Sequence, residues 1–148
     1  MTADPGVAVE PSGSRPGEGR RTVAIVADDL IWSTRLSGLV EGAGVAAHVV
    51  RSVDALEAAV RGGTRRVVVD LTTRSYDPLA AISTAAAGGA SVLAVGPHDD
   101  HAARKEALAA GAVRVLAYRK LADDGPAAIG RWLGEADAAT DAATGTAR

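Results

Sequence analysis

Short runs rich in Val, Ile, Leu and Ala recur at Val23–Ala27, Val45–Val50, Arg65–Leu71, Ser91–Gly96 and Val113–Tyr118, each separated from the next by a stretch with helical spacing. Strands alternating with helices in this way are the pattern of βα units, whose crossovers make the strands parallel. The first helical stretch carries Trp32, Leu36, Leu39, Val40 and Ala43 at intervals of three and four and stops at Gly44. Trp32, in phase with Leu36 and Leu39, is expected to pack in the core. Ser52 stands as an N-cap before Val53, Leu56 and Val60, and Asp77-Pro78 opens a helix that runs through Leu79 and Ile82 to Gly88-Gly89. Pro97-His98-Asp99-Asp100 leads into an alanine-rich helix ending at Gly111, and Pro126–Leu133 forms the last.

Five such units are the count of a flavodoxin-like (βα)5 domain, an α/β fold with a five-stranded parallel sheet in the order 2-1-3-4-5 and helices on both faces. In that order the first and third strands are neighbours, and both end on aspartate: Asp28 and Asp29 after the first, Asp70 after the third. Ligand chemistry in open α/β sheets gathers at the carboxyl ends of the strands. Three carboxylates there repel by about 1 to 4 kcal/mol per pair at contact range. A divalent cation or a phosphoryl group would suit them.

At 148 residues the chain is long enough for one domain with a core. Residues 1–21, rich in Pro, Gly, Ser and charge, are expected to be a disordered leader, 22–134 the folded domain, and 135–148, which lack an apolar stripe, a disordered tail. A net charge of -2 with both signs mixed argues against nucleic acid as a partner. There is no cysteine for disulfides, thiolate metal sites or thiol nucleophiles. No segment is apolar enough for a membrane helix, and a cytoplasmic location is expected. Two Trp, two Tyr and no Phe offer little stacking surface for a flavin ring. The phosphate loop of nucleotide hydrolases and the Gly-x-Ser-x-Gly elbow are both missing.

With Val26-Ala27-Asp28-Asp29, Val68-Val69-Asp70-Leu71 and Ala109-Ala110-Gly111-Ala112 at matching separations, the chain resembles a response-regulator receiver domain over about Thr22 to Leu133. The resemblance implies that Asp28 and Asp29, with Asp70, hold Mg²⁺, and that Asp70 accepts a phosphoryl group from a histidine kinase. A homodimer through the fourth helix and fifth strand is also implied.

Two departures bear on that chemistry. The family has Ser or Thr at the end of strand four, where this chain has Gly96-Pro97. The family's lysine falls near Tyr118, with Arg119 and Lys120 the nearest cations and Leu121 in place of a following proline. A switch driven from 1:99 to 99:1 needs about 5.5 kcal/mol of differential interaction, and both missing groups would supply part of it. The sequence is therefore similar to an atypical receiver, or pseudo-receiver, that acts by protein contact with a kinase or a downstream signalling protein and is not an enzyme. The alternatives are a working Mg²⁺-dependent phosphoacceptor at Asp70 and, more distantly, a small phosphatase, whose loop Asp70-Leu71-Thr72-Thr73 matches only in part. Gly96, His98, Tyr118, Arg119 and Lys120 form the expected pocket rim or partner edge. His98 is a candidate substitute for the missing hydroxyl. His98 and His101 could suggest a metal pair, but capping of the helix by Asp99 or Asp100 is the expected role of this segment.

Overall fold

Each of the five apolar runs forms a strand in the computed structural model, which describes residues 22–145, with side chains through residue 137. The strands are β1 (Thr22–Val26), β2 (Ala46–Val50), β3 (Arg66–Asp70), β4 (Ser91–Gly96) and β5 (Arg114–Ala117). The helices are α1 (Leu30–Gly42), α2 (Val53–Arg61), α3 (Pro78–Ala87), α4 (His101–Ala110), α5 (Tyr118–Asp124) and α6 (Pro126–Gly145). All pairings are parallel and the order is β2-β1-β3-β4-β5. This is the expected flavodoxin-like arrangement.

Alternation along the strands sends side chains to two cores. Ala24, Val26, Val67, Val69, Val92 and Ala94 face Leu56 and Val60 of α2, Ala81, Ile82 and Ala85 of α3, and Ala107 of α4. Val23, Ile25, Val68, Leu93 and Val95 face Leu36 and Val40 of α1, Leu121 of α5, and Ile129, Trp132 and Leu133 of α6. Being covered on both sides, β3 is buried along its whole length. Gly111 closes α4 at φ 124°, and a Cβ there would stand 2.7 Å from the Ala86 Cβ, so both backbone and space require glycine.

Three expectations are corrected or sharpened. First, β5 ends at Ala117 and Tyr118 starts a helix, because Tyr118 to Asp124 contains no Gly or Pro and buries Leu121. Second, Trp32 packs against the core as expected but is only half-buried, and it is Trp132 that is enclosed, its indole Nε1 donating to the Ser91 Oγ at 3.2 Å. Third, the chain from Glu135 to Gly145 is helical where a disordered tail was expected. Its first turn is held by buried Ala136 and by ion pairs of Glu135 with Arg114 and Asp137 with Arg66. A stripe search misses such contacts because each anchor is a single residue. The expected leader, residues 1–21, and residues 146–148 lie outside the described residues.

Candidate functional site

Register brings the acidic ends together: Val26 pairs with Val69 and Asp70 with Val95, so the loops after β1 and β3 leave the sheet side by side. Asp70, the last residue of β3, is fully buried. Its Oδ1 accepts from the Thr72 N–H at 3.0 Å, from the Thr72 hydroxyl at 2.8 Å, and from the Tyr118 hydroxyl. The Tyr118 and Thr72 hydroxyls also lie 2.8 Å apart. Asp70 Oδ2 is buried with no hydrogen-bond partner, as are the Thr73 Oγ1 and the Tyr76 hydroxyl. Burial, followed by the bond to Asp70, pushes the Tyr118 phenol well above its usual value, and burial pushes Tyr76 up to about 12. Both phenols stay protonated at neutral pH.

Asp28 is turned to a structural task. Its Oδ2 accepts from the Arg74 N–H at 2.9 Å, the Ser75 N–H at 2.9 Å and the Ser75 hydroxyl at 2.8 Å, which ties the loop between β3 and α3 to the end of β1. These donors, the Arg74 N–H first, hold its carboxyl far below the usual range. A depressed carboxylate stabilises the fold above its unfolded pKa of about 3.9, and that contribution is lost as pH falls toward the folded value. In urea titrations, Asp28→Asn is therefore expected to cost stability at pH 7 and progressively less below about pH 4. A difference from wild type that stays constant from pH 7 to pH 3 would rule this out.

Asp29 is exposed and caps α1, its Oδ1 accepting from the Trp32 N–H at 2.9 Å. Among the described residues, no group of three His, Cys, Asp or Glu side chains could hold a metal ion. Asp28, Asp29 and Asp70 are not gathered around one point. One carboxylate binds a loop, one caps a helix, and the third meets its own chain's hydroxyls.

The remaining rim residues are dispersed. Gly96 ends β4, and a Cβ there would lie 3.3 Å from the Leu71 Cβ and 3.2 Å from its Cδ1. Leu71 thus crowds the place where a hydroxyl-bearing side chain would start. His98 and His101 are exposed, and the segment's capping role falls to Asp100, which accepts from the Ala103 N–H at 2.9 Å. Asp70 takes its side-chain hydrogen bonds from Thr72 and Tyr118, and none from His98. Arg119 is exposed, and Lys120 pairs with Asp124 at 3.0 Å, one turn along α5. Of the five rim residues, Tyr118 alone reaches Asp70. Its ring stacks on Trp32 with centroids 3.9 Å apart and an interplanar angle of 21°.

Sequence reasoning missed Thr73, Ser75 and Tyr76 as neighbours of the acidic pair. The available signal was the hydroxyl-rich run Thr72-Thr73-Arg74-Ser75-Tyr76 directly after a strand-ending aspartate.

No family model and no curated protein sequence matches the chain. Solved structures match its backbone. NtrX from Brucella abortus superposes with a TM-score of 0.73 at 17% identity, over 83% of this chain and 29% of that one. The receiver domain of NtrX from Brucella abortus gives a TM-score of 0.67 at 19% identity, over 76% of this chain and 98% of that domain. The fold is that of a response-regulator receiver domain. A response regulator from Burkholderia pseudomallei, solved with a phosphorylated aspartic acid, a calcium ion and citrate, also matches, with a TM-score of 0.57 at 20% identity over 66% of this chain and 59% of that one. This chain thus spans less than a third of the NtrX chain and nearly all of its receiver domain. In the receiver fold the end of β3 is the position of Asp70, and in this chain the hydroxyls of Thr72 and Tyr118 already occupy one of its oxygens.

Proposed function

We propose that this chain is a receiver-like signalling module, a pseudo-receiver, that works by contact with another protein and does not use Asp70 as a phosphoacceptor. The observation that carries this is the engagement of Asp70 Oδ1 by the Thr72 and Tyr118 hydroxyls on a fully buried carboxylate. A nucleophile needs an accessible oxygen and, for phosphoryl transfer, positive charge close by. Lys120 is committed to Asp124, and Leu71 crowds the β4 end at Gly96. Neither position therefore places a group at Asp70 that would read a phosphoryl charge. Leu30 and Ile31, 71% and 63% exposed beside the site, support a role in protein contact, the partner being a histidine kinase or a downstream signalling protein.

One observation favours a second reading, a Mg²⁺-dependent phosphoacceptor: the Oδ2 of Asp70 has no partner and is free to take one. Beryllofluoride with Mg²⁺ separates the two. Trp32 lies against Tyr118, so its fluorescence reports events at Asp70. The expected result is no change in wild-type emission and none in Asp70→Asn. A saturable change in the wild type that Asp70→Asn abolishes establishes the phosphoacceptor instead. Steady turnover of a phosphate ester would point to the phosphatase.

A further inference from the structure

Asp70 is not sealed by the sheet alone, since one of its oxygens meets a side chain that belongs to a different element and rests on a third. Tyr118 is the first residue of α5, and its hydroxyl donates to Asp70 and lies 2.8 Å from that of Thr72. Its ring lies on the indole of Trp32, near the start of α1. Trp32 is placed in turn by the Asp29 cap on its N–H, and the guanidinium carbon of Arg35 lies 5.3 Å from its ring centroid. The same indole walls a surface cavity of about 260 Å³ that is also lined by Arg35, Leu39 and Leu121. Trp32 thus touches the cover of the buried carboxylate while standing at the molecular surface.

We infer that Tyr118 and Trp32 form a lid over Asp70, with Tyr118 as the cover and Trp32 as the positioning residue that keeps it shut, so that access to Asp70 is gated from α1. The inference rests on the reading of Asp70 as shielded and adds how the shield is held. A tyrosine at the start of a helix has several rotamers available. The flat contact with Trp32 favours the one whose hydroxyl points at Asp70, because in it the two ring faces lie against each other and make many close contacts. Displacing the indole removes that preference, and the buried carboxylate then exchanges with solvent through local opening. A contact that moves Trp32 on α1 therefore opens a site at the end of β3.

Carboxylate labelling of the full chain tests this. A water-soluble carbodiimide with an amine nucleophile is applied near neutral pH, and modification is read at each aspartate by peptide mass spectrometry. In the wild type, Asp70 is expected to stay unlabelled while exposed Asp54 and Asp99 react. Trp32→Ala and Tyr118→Ala are each expected to raise labelling at Asp70 roughly tenfold, with Asp54 and Asp99 unchanged. Tyr118→Phe keeps the ring on Trp32 and is expected to stay mostly protected. If Trp32→Ala unfolds the chain, seen as loss of helical circular dichroism, Trp32→Leu takes its place, keeping apolar bulk without a flat face. Protection of Asp70 at the wild-type level in a folded Trp32 variant overturns the lid. Equal exposure in Tyr118→Phe and Tyr118→Ala overturns the role of the ring. A wild-type response to beryllofluoride instead contradicts the shielding of Asp70, whatever the variants do.

Discussion

Trp132→Ala is expected to lower the stability of the fold by about 3 to 5 kcal/mol, the range for removing a large aromatic side chain from a core. Among the described residues Trp132 is the largest fully buried side chain, packed with Ile25, Val68, Leu93 and Ile129 between α6 and the sheet. Few other side chains could fill the space it leaves, because the chain has no Phe and the surrounding core is aliphatic. The loss is a large fraction of the roughly 5 to 15 kcal/mol by which a domain is stable. Trp132→Phe retains most of the volume and gives up the bond to the Ser91 Oγ, so it is expected to cost only about 1 to 2 kcal/mol. Urea denaturation of the two variants checks this. Equal costs would show that the hydrogen bond, rather than packing, makes Trp132 important.

Truncation after Gly134 is the second large effect, and it follows from the helix that continues beyond that point. Removing the segment deletes the buried Ala136 and both ion pairs that tie α6 to β3 and β5. The Arg114–Glu135 pair is about half exposed and contributes little, under about 1 kcal/mol. Arg66 differs, since its side chain is 2% exposed while that of Asp137 is 60% exposed. Breaking a fully buried pair costs about 3 to 5 kcal/mol. Because one partner is solvated, a total of about 2 to 3 kcal/mol is expected for the truncation. Asp137→Asn isolates the ion pair and is expected to account for about half of it. A truncated chain that unfolds at the same urea midpoint as the full one would show that the segment only adorns the fold.

The sheet was legible in the sequence because parallel strands covered on both faces read as continuous apolar runs, and Val67-Val68-Val69 and Val92–Val95 are such runs. Helix starts were legible where Ser52, Asp77 and Asp100 cap them, since a side-chain acceptor three residues or fewer before a free N–H is a local feature. The direct helix after β5 was not legible. Tyr118 and its neighbours have the composition of a strand end and a turn, and the burial of Leu121 against α1 and α6 decides the matter only in three dimensions. The site was half legible. Strand endings and strand order place Asp28 and Asp70 as neighbours, but each oxygen's bonding partner depends on loop geometry. Asp28 and Asp29 are adjacent in sequence yet serve different elements, one holding the loop after β3 and the other capping α1. Tyr118 lies 48 positions from the carboxylate it covers, a pairing that only the folded chain reveals.

Shielding of Asp70 is most directly tested by exposing the full chain to a small-molecule phosphoryl donor such as acetyl phosphate with Mg²⁺ and weighing the intact protein. The expected result is no phosphoryl adduct in the wild type, matching Asp70→Asn. An adduct that forms in the wild type, disappears in Asp70→Asn and requires Mg²⁺ would contradict the account at its centre.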